Sequence, residues 1–237
     1  MVIGRGMIAT KFSSYEDKDV LFFASGVSNS NEINEEAFQK EETLLRNSLE
    51  EKGTKTFVYF SSCDVANPQL SPKAYYQHKL KMENLVASFQ GNFYIFRLPQ
   101  VVGYGGNENT LINFLLNNIK NETSFEIYLR TEKNIIDIDD VYTMAIHIIQ
   151  HKKYLNSVCN IINTKYISVL DLVQIIEKKI CQKAHYIFKD INTSYYYNAP
   201  EIKSIAKELN IIFNNNYHRR LISKYSSPDL KRITPTS

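Results

Sequence analysis

The chain has 237 residues, 43% hydrophobic and 22% charged, with a formal net charge of +3. That profile excludes disorder and fibrous repeats, and the length suits one large α/β domain, or a main domain with a small lobe, that buries a sizeable core. The three cysteines, Cys63, Cys159 and Cys181, contain no C-x-x-C pair, so neither a disulfide framework nor a metal site is expected and a reducing, cytoplasmic setting fits. The apolar run 20–24 is too short to cross a membrane and lacks the basic flank of a signal peptide, and the positive charge is dispersed. Neither a nucleic-acid nor a membrane partner is expected.

Extended and helical periods alternate from the start, the signature of a parallel sheet flanked by helices. Residues 1–3 read as a short strand, followed by Gly4-Arg5-Gly6-Met7-Ile8-Ala9 and a helical stretch to about Ser14. Next come a buried strand at 20–24, a charged amphipathic helix at 34–52, and a strand at 56–61 rich in aromatic and β-branched residues. A helix at 75–89 precedes a strand at 93–98, which Pro99 stops. Helices follow at 110–119, 139–150 and 169–180, with short β-like runs at 135–136, 159–162 and 185–188. The polar tail, 226–237, is expected to fray.

Three elements carry candidate chemistry. Gly4-x-Gly6-x-x-Ala9, between a strand and a helix, lets backbone amides approach a pyrophosphate at the helix start. Tyr75 and Lys79 stand at i and i+4 on one helix face, where an ammonium would lower the phenol below its usual value of about 10 and make it an acid or base near neutral pH. Phe60-Ser61-Ser62-Cys63 ends a strand and places a hydroxyl at the C-terminal edge of the sheet, where such folds bind ligands.

Together these residues resemble the extended short-chain dehydrogenases/reductases, the superfamily of nucleotide-sugar epimerases, dehydratases and 4-ketoreductases, over residues 1–149. The resemblance implies a shortened, doubly wound, Rossmann-type parallel sheet with a small C-terminal α/β lobe. The expected core is 1–130, with returning elements to about 165, followed by a substrate lobe at 131–225. It makes Ser62, Tyr75 and Lys79 the catalytic residues, Ser62 being preferred over Ser61 because Val65 supplies the aliphatic residue three positions on. Cofactor contacts implied are Gly4, Arg5, Gly6, Met7, Ile8, Ala24, Ser25, Gly26, Ser61, Tyr75, Lys79 and Leu98. Arg97-Leu98-Pro99-Gln100-Val101-Val102-Gly103 resembles R-x-x-N-V-Y-G with Gln100 for Asn, and 134–141 resembles a later helix opening with Lys133 at an Arg position. Cys63, Gln100, Val101 and Lys133 are the implied substrate contacts.

The chain departs from the family in one place: too few residues separate the glycine loop from 20–24 for a βαβ unit, which takes roughly 30 or more. A strand and helix are expected to be missing, and with them the ribose-binding acid. Arg5, similar to the loop arginine of NADPH-using GDP-fucose synthases, favours NADPH over NAD. The expected activity is NADPH-dependent reduction of a keto group on a nucleotide-linked sugar in surface-polysaccharide synthesis, by a homodimer packed through the helices at 34–52 and 75–89. An epimerase with retained cofactor and a non-catalytic nucleotide-sugar-binding protein are the alternatives. His78 is expected on a different face from Lys79. The pair His147 and His151, the cluster Asp137, Asp139 and Asp140, the basic run 218–220 and the tyrosines 195–197 read more simply as helix-end, capping, solvated and packing residues.

Overall fold

The structure, a computed structural model, describes residues 1–51, 53, 55–105 and 110–226. The elements in chain order are β1 (Val2–Ile3), α1 (Met7–Phe12), β2 (Val20–Phe23), α2 (Glu35–Leu49), β3 (Thr56–Ser62), α3 (Ala74–Ala87), β4 (Asn92–Leu98) and β5 (Gln100–Val102). They continue with α4 (Leu111–Lys120), β6 (Phe125–Tyr128), β7 (Glu132–Asp137), α5 (Ile138–Gln150), β8 (Ser157–Asn160) and β9 (Tyr166–Ser168). The last are α6 (Val169–Ile180), β10 (Tyr186–Lys189), α7 (Ile202–Glu208) and α8 (Tyr217–Tyr225). The expected frayed tail lies outside the described residues from 227 onward, as does Lys52, the expected end of α2.

The chain folds into two compact units. Unit 1 takes Met1–Pro99, Ile138–Ile162 and Tyr197–Ile211. Its sheet is parallel throughout, in the order β1-β2-β3-β4-β8, the expected Rossmann-like α/β arrangement. Both faces of a parallel sheet are covered, which explains why β2 and the middle of β3 are buried at every position instead of alternating. One face presents Leu21, Phe23, Phe57, Tyr59 and Ile95 to Leu45 of α2 and to Met82 and Val86 of α3. On the other face Phe12 of α1 packs against Phe22, Phe60 and the α5 residue Tyr142, with ring centroids 4.9, 4.8 and 5.0 Å away. Each such buried ring contributes about 1.5–3 kcal/mol of transfer free energy.

The expected shortening is visible in the strand order. β1 is a two-residue edge strand whose neighbour in space, β2, is also the next strand in sequence, with Val2 opposite Phe22 and Ile3 opposite Phe23. α1 ends at Phe12, short of the expected Ser14.

Unit 2 takes Gln100–Asp137, Asn163–Tyr196 and the chain from Ile212 on. The described residues of 100–130, expected from the sequence to join the core, therefore pack in this unit. It holds a three-stranded sheet, β5-β7-β9, parallel between β5 and β7 and antiparallel between β7 and β9, and a parallel pair of β6 with β10. Its core is the apolar side of α4, α6 and α8, including Leu115, Ile119, Leu172, Ile176 and Leu221.

Candidate active site

All the expected catalytic and cofactor-contacting residues fall in unit 1, around the C-terminal ends of β1, β2, β3 and β4 and the first two turns of α3. Gly4 has φ +133°, and a Cβ there would stand 2.4 Å from the Ala24 carbonyl oxygen, so only glycine permits this close approach of the two strand ends. Gly6 N-caps α1 without any side chain bonded to the first amides, and nothing lies within 4 Å of where its Cβ would be. Those amides, at Met7 and Ile8, are the donors a helix start leaves unmatched. Arg5, between the two glycines, is exposed.

Alternation along β3 separates the two serines. Ser61 is buried and its hydroxyl donates to Glu83 of α3 at 2.6 Å; Arg97 of β4 closes on the same carboxylate at 2.9 and 2.6 Å. Ser61 is thereby committed to a structural ion pair. Ser62, on the opposite side of the strand and half-buried, accepts the Asp64 amide at 3.2 Å and caps the short 3-10 turn that follows. Leu98, its register partner on β4, is buried. Cys63, expected beside the substrate, is 1% exposed and directs its thiol to the Arg97 carbonyl oxygen, 3.3 Å away. It joins β3 to β4 instead, and burial pushes the thiol far above its ordinary range.

Tyr75 and Lys79 do share a face of α3, with the ammonium 5.8 Å from the Tyr75 ring centre. The ammonium, however, is not spent on the phenol. It donates to Oε1 of Glu41 on α2 at 2.8 Å and to the Tyr59 hydroxyl on β3 at 3.3 Å. The expected lowering of the Tyr75 phenol is therefore overturned: burial raises it above its ordinary value, and the charges of Glu41 and Asp64 add to the rise. Lys79 is pulled down by burial, but Tyr59 and Glu41 outweigh that and hold it firmly protonated.

Glu41 is the group beside Lys79 that motif reasoning missed. Its side chain is 2% exposed, and its Oε1 also accepts the Tyr59 hydroxyl at 3.2 Å while Oε2 accepts the Val27 amide at 2.8 Å. His78 Nε2 stands 3.2 Å from Oε2 without an aligned hydrogen bond, and its ring stacks on Phe38 at 4.6 Å. His78 and Lys79, expected on different faces, thus converge on one carboxylate because α2 packs across both. A signal was present in the sequence: Phe38, Glu41, Leu45 and Ser48 fall at helical spacing on one side of α2, which marks position 41 as inward-facing despite the surrounding charges. Gly26 faces the same group, since a Cβ there would stand 2.5 Å from Glu41 Oε1. Ala24 and Ser25 beside it are half-buried.

These residues fit a nicotinamide dinucleotide at two points. The uncapped amides after Gly6 suit a diphosphate, and Lys79, with three donors of which Glu41 and Tyr59 take two, has one N–H for a ribose hydroxyl. For the adenosine ribose, no strand flanks β1 on the side away from β2 among the described residues, so the usual acid has no strand to stand on. Gln100, Val101 and Lys133 belong to unit 2, where β5 pairs Gln100 with Ile135 and Val101 with Ile136, and β7 pairs Lys133 with Ile167 of β9. His147 pairs with Glu208 at 3.1 Å, and no group of three or more metal-ligating side chains occurs among the described residues. No helix among them is long and apolar enough to cross a membrane.

Comparison with known proteins gives a consistent picture. The chain matches no curated protein sequence. Solved structures similar in fold include UDP-glucuronic acid 4-epimerase from Bacillus cereus in complex with UDP-glucuronic acid and NAD, at TM-score 0.68 and 18% identity, covering 93% of this chain and 77% of that one. A UDP-galactose 4-epimerase aligns at TM-score 0.71 and 14% identity over 88% and 77% of the two chains. RMD from Pseudomonas aeruginosa complexed with NADPH aligns at 0.66 and 15%, over 94% and 86%. The sequence profile of the NAD dependent epimerase/dehydratase family matches residues 18–161, more than half of the chain and nearly all of the unit 1 sheet. The chain therefore belongs to the NAD-dependent epimerase/dehydratase family of enzymes.

Proposed function

We propose that this enzyme uses NADPH to reduce a keto group on a nucleotide-linked sugar, with Tyr75 as general acid. The observation that carries this direction of chemistry is the state of Tyr75: burial and two nearby carboxylates keep its phenol protonated, which suits a group that must give a proton and not one that must first take one. An alkoxide forming on the sugar is basic enough to accept that proton. Ser62, its hydroxyl hydrogen uncommitted by the bond it accepts from Asp64, donates to the same oxygen. Lys79 holds the nicotinamide ribose through its remaining N–H, and its positive charge stabilises the tyrosinate left after transfer. When bound, the dinucleotide supplies the hydride.

NADPH is preferred because Arg5 is exposed inside the glycine loop, where a guanidinium can take a 2′-phosphate. The structural neighbours include one solved with NADPH and one solved with NAD and UDP-glucuronic acid, which supports this cofactor class and a nucleotide-sugar substrate. Gln100, Val101 and Lys133 are the proposed sugar-nucleotide contacts. We further propose a cytoplasmic homodimer, acting in surface-polysaccharide synthesis, that pairs through α2 and α3, where Leu44 and Leu80 are each 38% exposed.

The test follows the absorbance of reduced nicotinamide while the protein is offered nucleotide-linked ketosugars. NADPH oxidised in step with alcohol product, and lost in Tyr75→Phe with binding of NADPH retained, is the expected result. Interconversion of nucleotide sugars without net NADPH oxidation would replace the reductase by an epimerase, and equal use of NADH would remove the role of Arg5.

A further inference from the structure

The proposed reaction uses Tyr75, Ser62 and Lys79 but leaves one fully enclosed carboxylate without a task. Glu41 lies 38 residues from Lys79 in sequence, on a helix whose next residue, Glu42, faces Arg46 and Lys81 at the surface. Burying a carboxylate is costly unless it is paired and hydrogen-bonded, and here every direction is occupied: Lys79 and Tyr59 on Oε1, the Val27 amide and the His78 ring on Oε2. Glycine at position 26 leaves just the room the carboxylate needs. Three backbone segments meet at this one group, namely the loop after β2, the middle of β3 and the second turn of α3.

A long lysine side chain has several rotatable bonds and loses that freedom when it must present a single N–H to a ligand. A carboxylate and a phenol that take two of the three donors fix the direction of the third. We propose that Glu41 is a positioning residue of this site: its carboxylate anchors the Lys79 ammonium so that one N–H is left, in one direction, for a ribose hydroxyl. The inference rests on the reading that Lys79 meets a dinucleotide, and it extends that reading to a residue on a different helix. The charge matters as well as the geometry. Among the groups that face Lys79, Glu41 from α2 is the carboxylate, Tyr59 from β3 and Tyr75 from α3 are neutral phenols, and the loop after β2 reaches Glu41 only through the Val27 amide; His78, on α3, faces Glu41.

Glu41→Gln tests this directly, because the amide oxygen can still accept from Val27 while the counter-charge of Lys79 disappears. The first readout is the Lys79 side-chain nitrogen resonance in lysine-labelled protein, assigned by its loss in Lys79→Met. Wild type keeps the ammonium between about pH 6 and about pH 9, whereas Glu41→Gln loses the proton within that window, as buried lysines without partners do. The second readout is NADPH affinity by cofactor fluorescence: flat with pH in wild type, and weaker by about tenfold or more from the acid to the alkaline end in Glu41→Gln. An ammonium and an affinity profile both unchanged in folded Glu41→Gln would overturn the proposal. Should Glu41→Gln alone fail to fold, Lys79→Met is compared with Glu41→Gln/Lys79→Met, which removes both charges together. Equal NADPH affinity in the two supports action through Lys79, and a further loss of about tenfold in the double variant refutes it. If wild type binds neither NADPH nor NADH, the proposed function falls, while the nitrogen titration still decides whether Glu41 holds the lysine.

Discussion

Unit 1 and unit 2 bury polar groups in opposite ways. Unit 1 keeps charge inside: Glu41 with Lys79, and one turn further along α3, Glu83 with Arg97. Unit 2 keeps mostly neutral groups inside: the Asn134 side chain donates to the Asn163 carbonyl oxygen at 2.7 Å and accepts the Asn163 amide at 3.0 Å, while the Asn163 side chain donates to the Ile135 carbonyl oxygen at 3.0 Å and meets His218 at 3.5 Å. Burial holds that histidine down at about 4, so it stays neutral among amides. The buried carboxylate there among the described residues, Asp137, pairs with Lys224, which is 38% exposed. The difference teaches that buried charge is concentrated in the unit whose residues the proposed chemistry uses, and that not every buried pair there is alike. Glu83 is saturated by Arg97 and Ser61 and has nothing to offer a ligand; Lys79 is paired yet keeps one donor.

The sharpest way to break the comparison is to remove one partner of the saturated pair. Glu83→Ala removes the carboxylate that Arg97 and Ser61 both bond, and should cost about 3–5 kcal/mol in urea unfolding, whereas a loss under about 1 kcal/mol would show that the pair is solvated. Acid should separate the units next. Glu41 is pushed up by burial, but His78, Lys79 and the Val27 amide outweigh this and hold it at about 2, against 4.5 ordinarily. Its stabilisation is present above the unfolded value and is lost as pH falls from 4.5 towards 2. For His218, also held below its unfolded value, the stabilisation is complete above 6.5 and is lost as pH falls towards 4. Each amounts to something on the order of 3 kcal/mol. His218→Gln should flatten the upper window and Glu41→Gln the lower in denaturant titrations across pH, and the same window vanishing in both variants would contradict the assignment.

Asn163→Ala strands the Lys165 amide and the Ile135 carbonyl oxygen, which the Asn163 side chain satisfies, so about 2 kcal/mol should be lost. The smallest effect belongs to Lys224→Met. With a partly exposed lysine at 2.7 Å from Asp137, and Tyr225 still donating to the same carboxylate, the change should stay below about 1 kcal/mol and shrink further in salt.

Much of unit 1 is legible in its amino-acid order. Buried strands and long helices leave strong patterns: the apolar run of β2 and the helical period of α5 match to within a residue at their ends, as α6 of unit 2 does to the residue at 169–180. Unit 2 is harder, because β5, β6 and β9 have three or four residues, too few to show a period, and α7 and α8 carry no pattern that the sequence reading recognises. Within the site, the glycine loop and the Tyr75–Lys79 spacing are legible because backbone geometry and helix pitch are local properties. That strand alternation turns Ser61 towards Glu83 and Ser62 to the other side of β3 is visible only in the tertiary contacts.

By itself, then, the amino-acid sequence determined the parallel α/β order, the shortened start at β1, the family motifs and the pairing of residues one helical turn apart. These follow from periods and spacings that neighbouring residues enforce on one another. Only the tertiary structure decided what Lys79 holds, which way the Tyr75 phenol shifts, and that the second unit begins at Gln100 and not near 131. Those outcomes depend on where α2 docks across α3 and β3, bringing together groups 38 and 18 residues apart, and no local pattern records such a meeting.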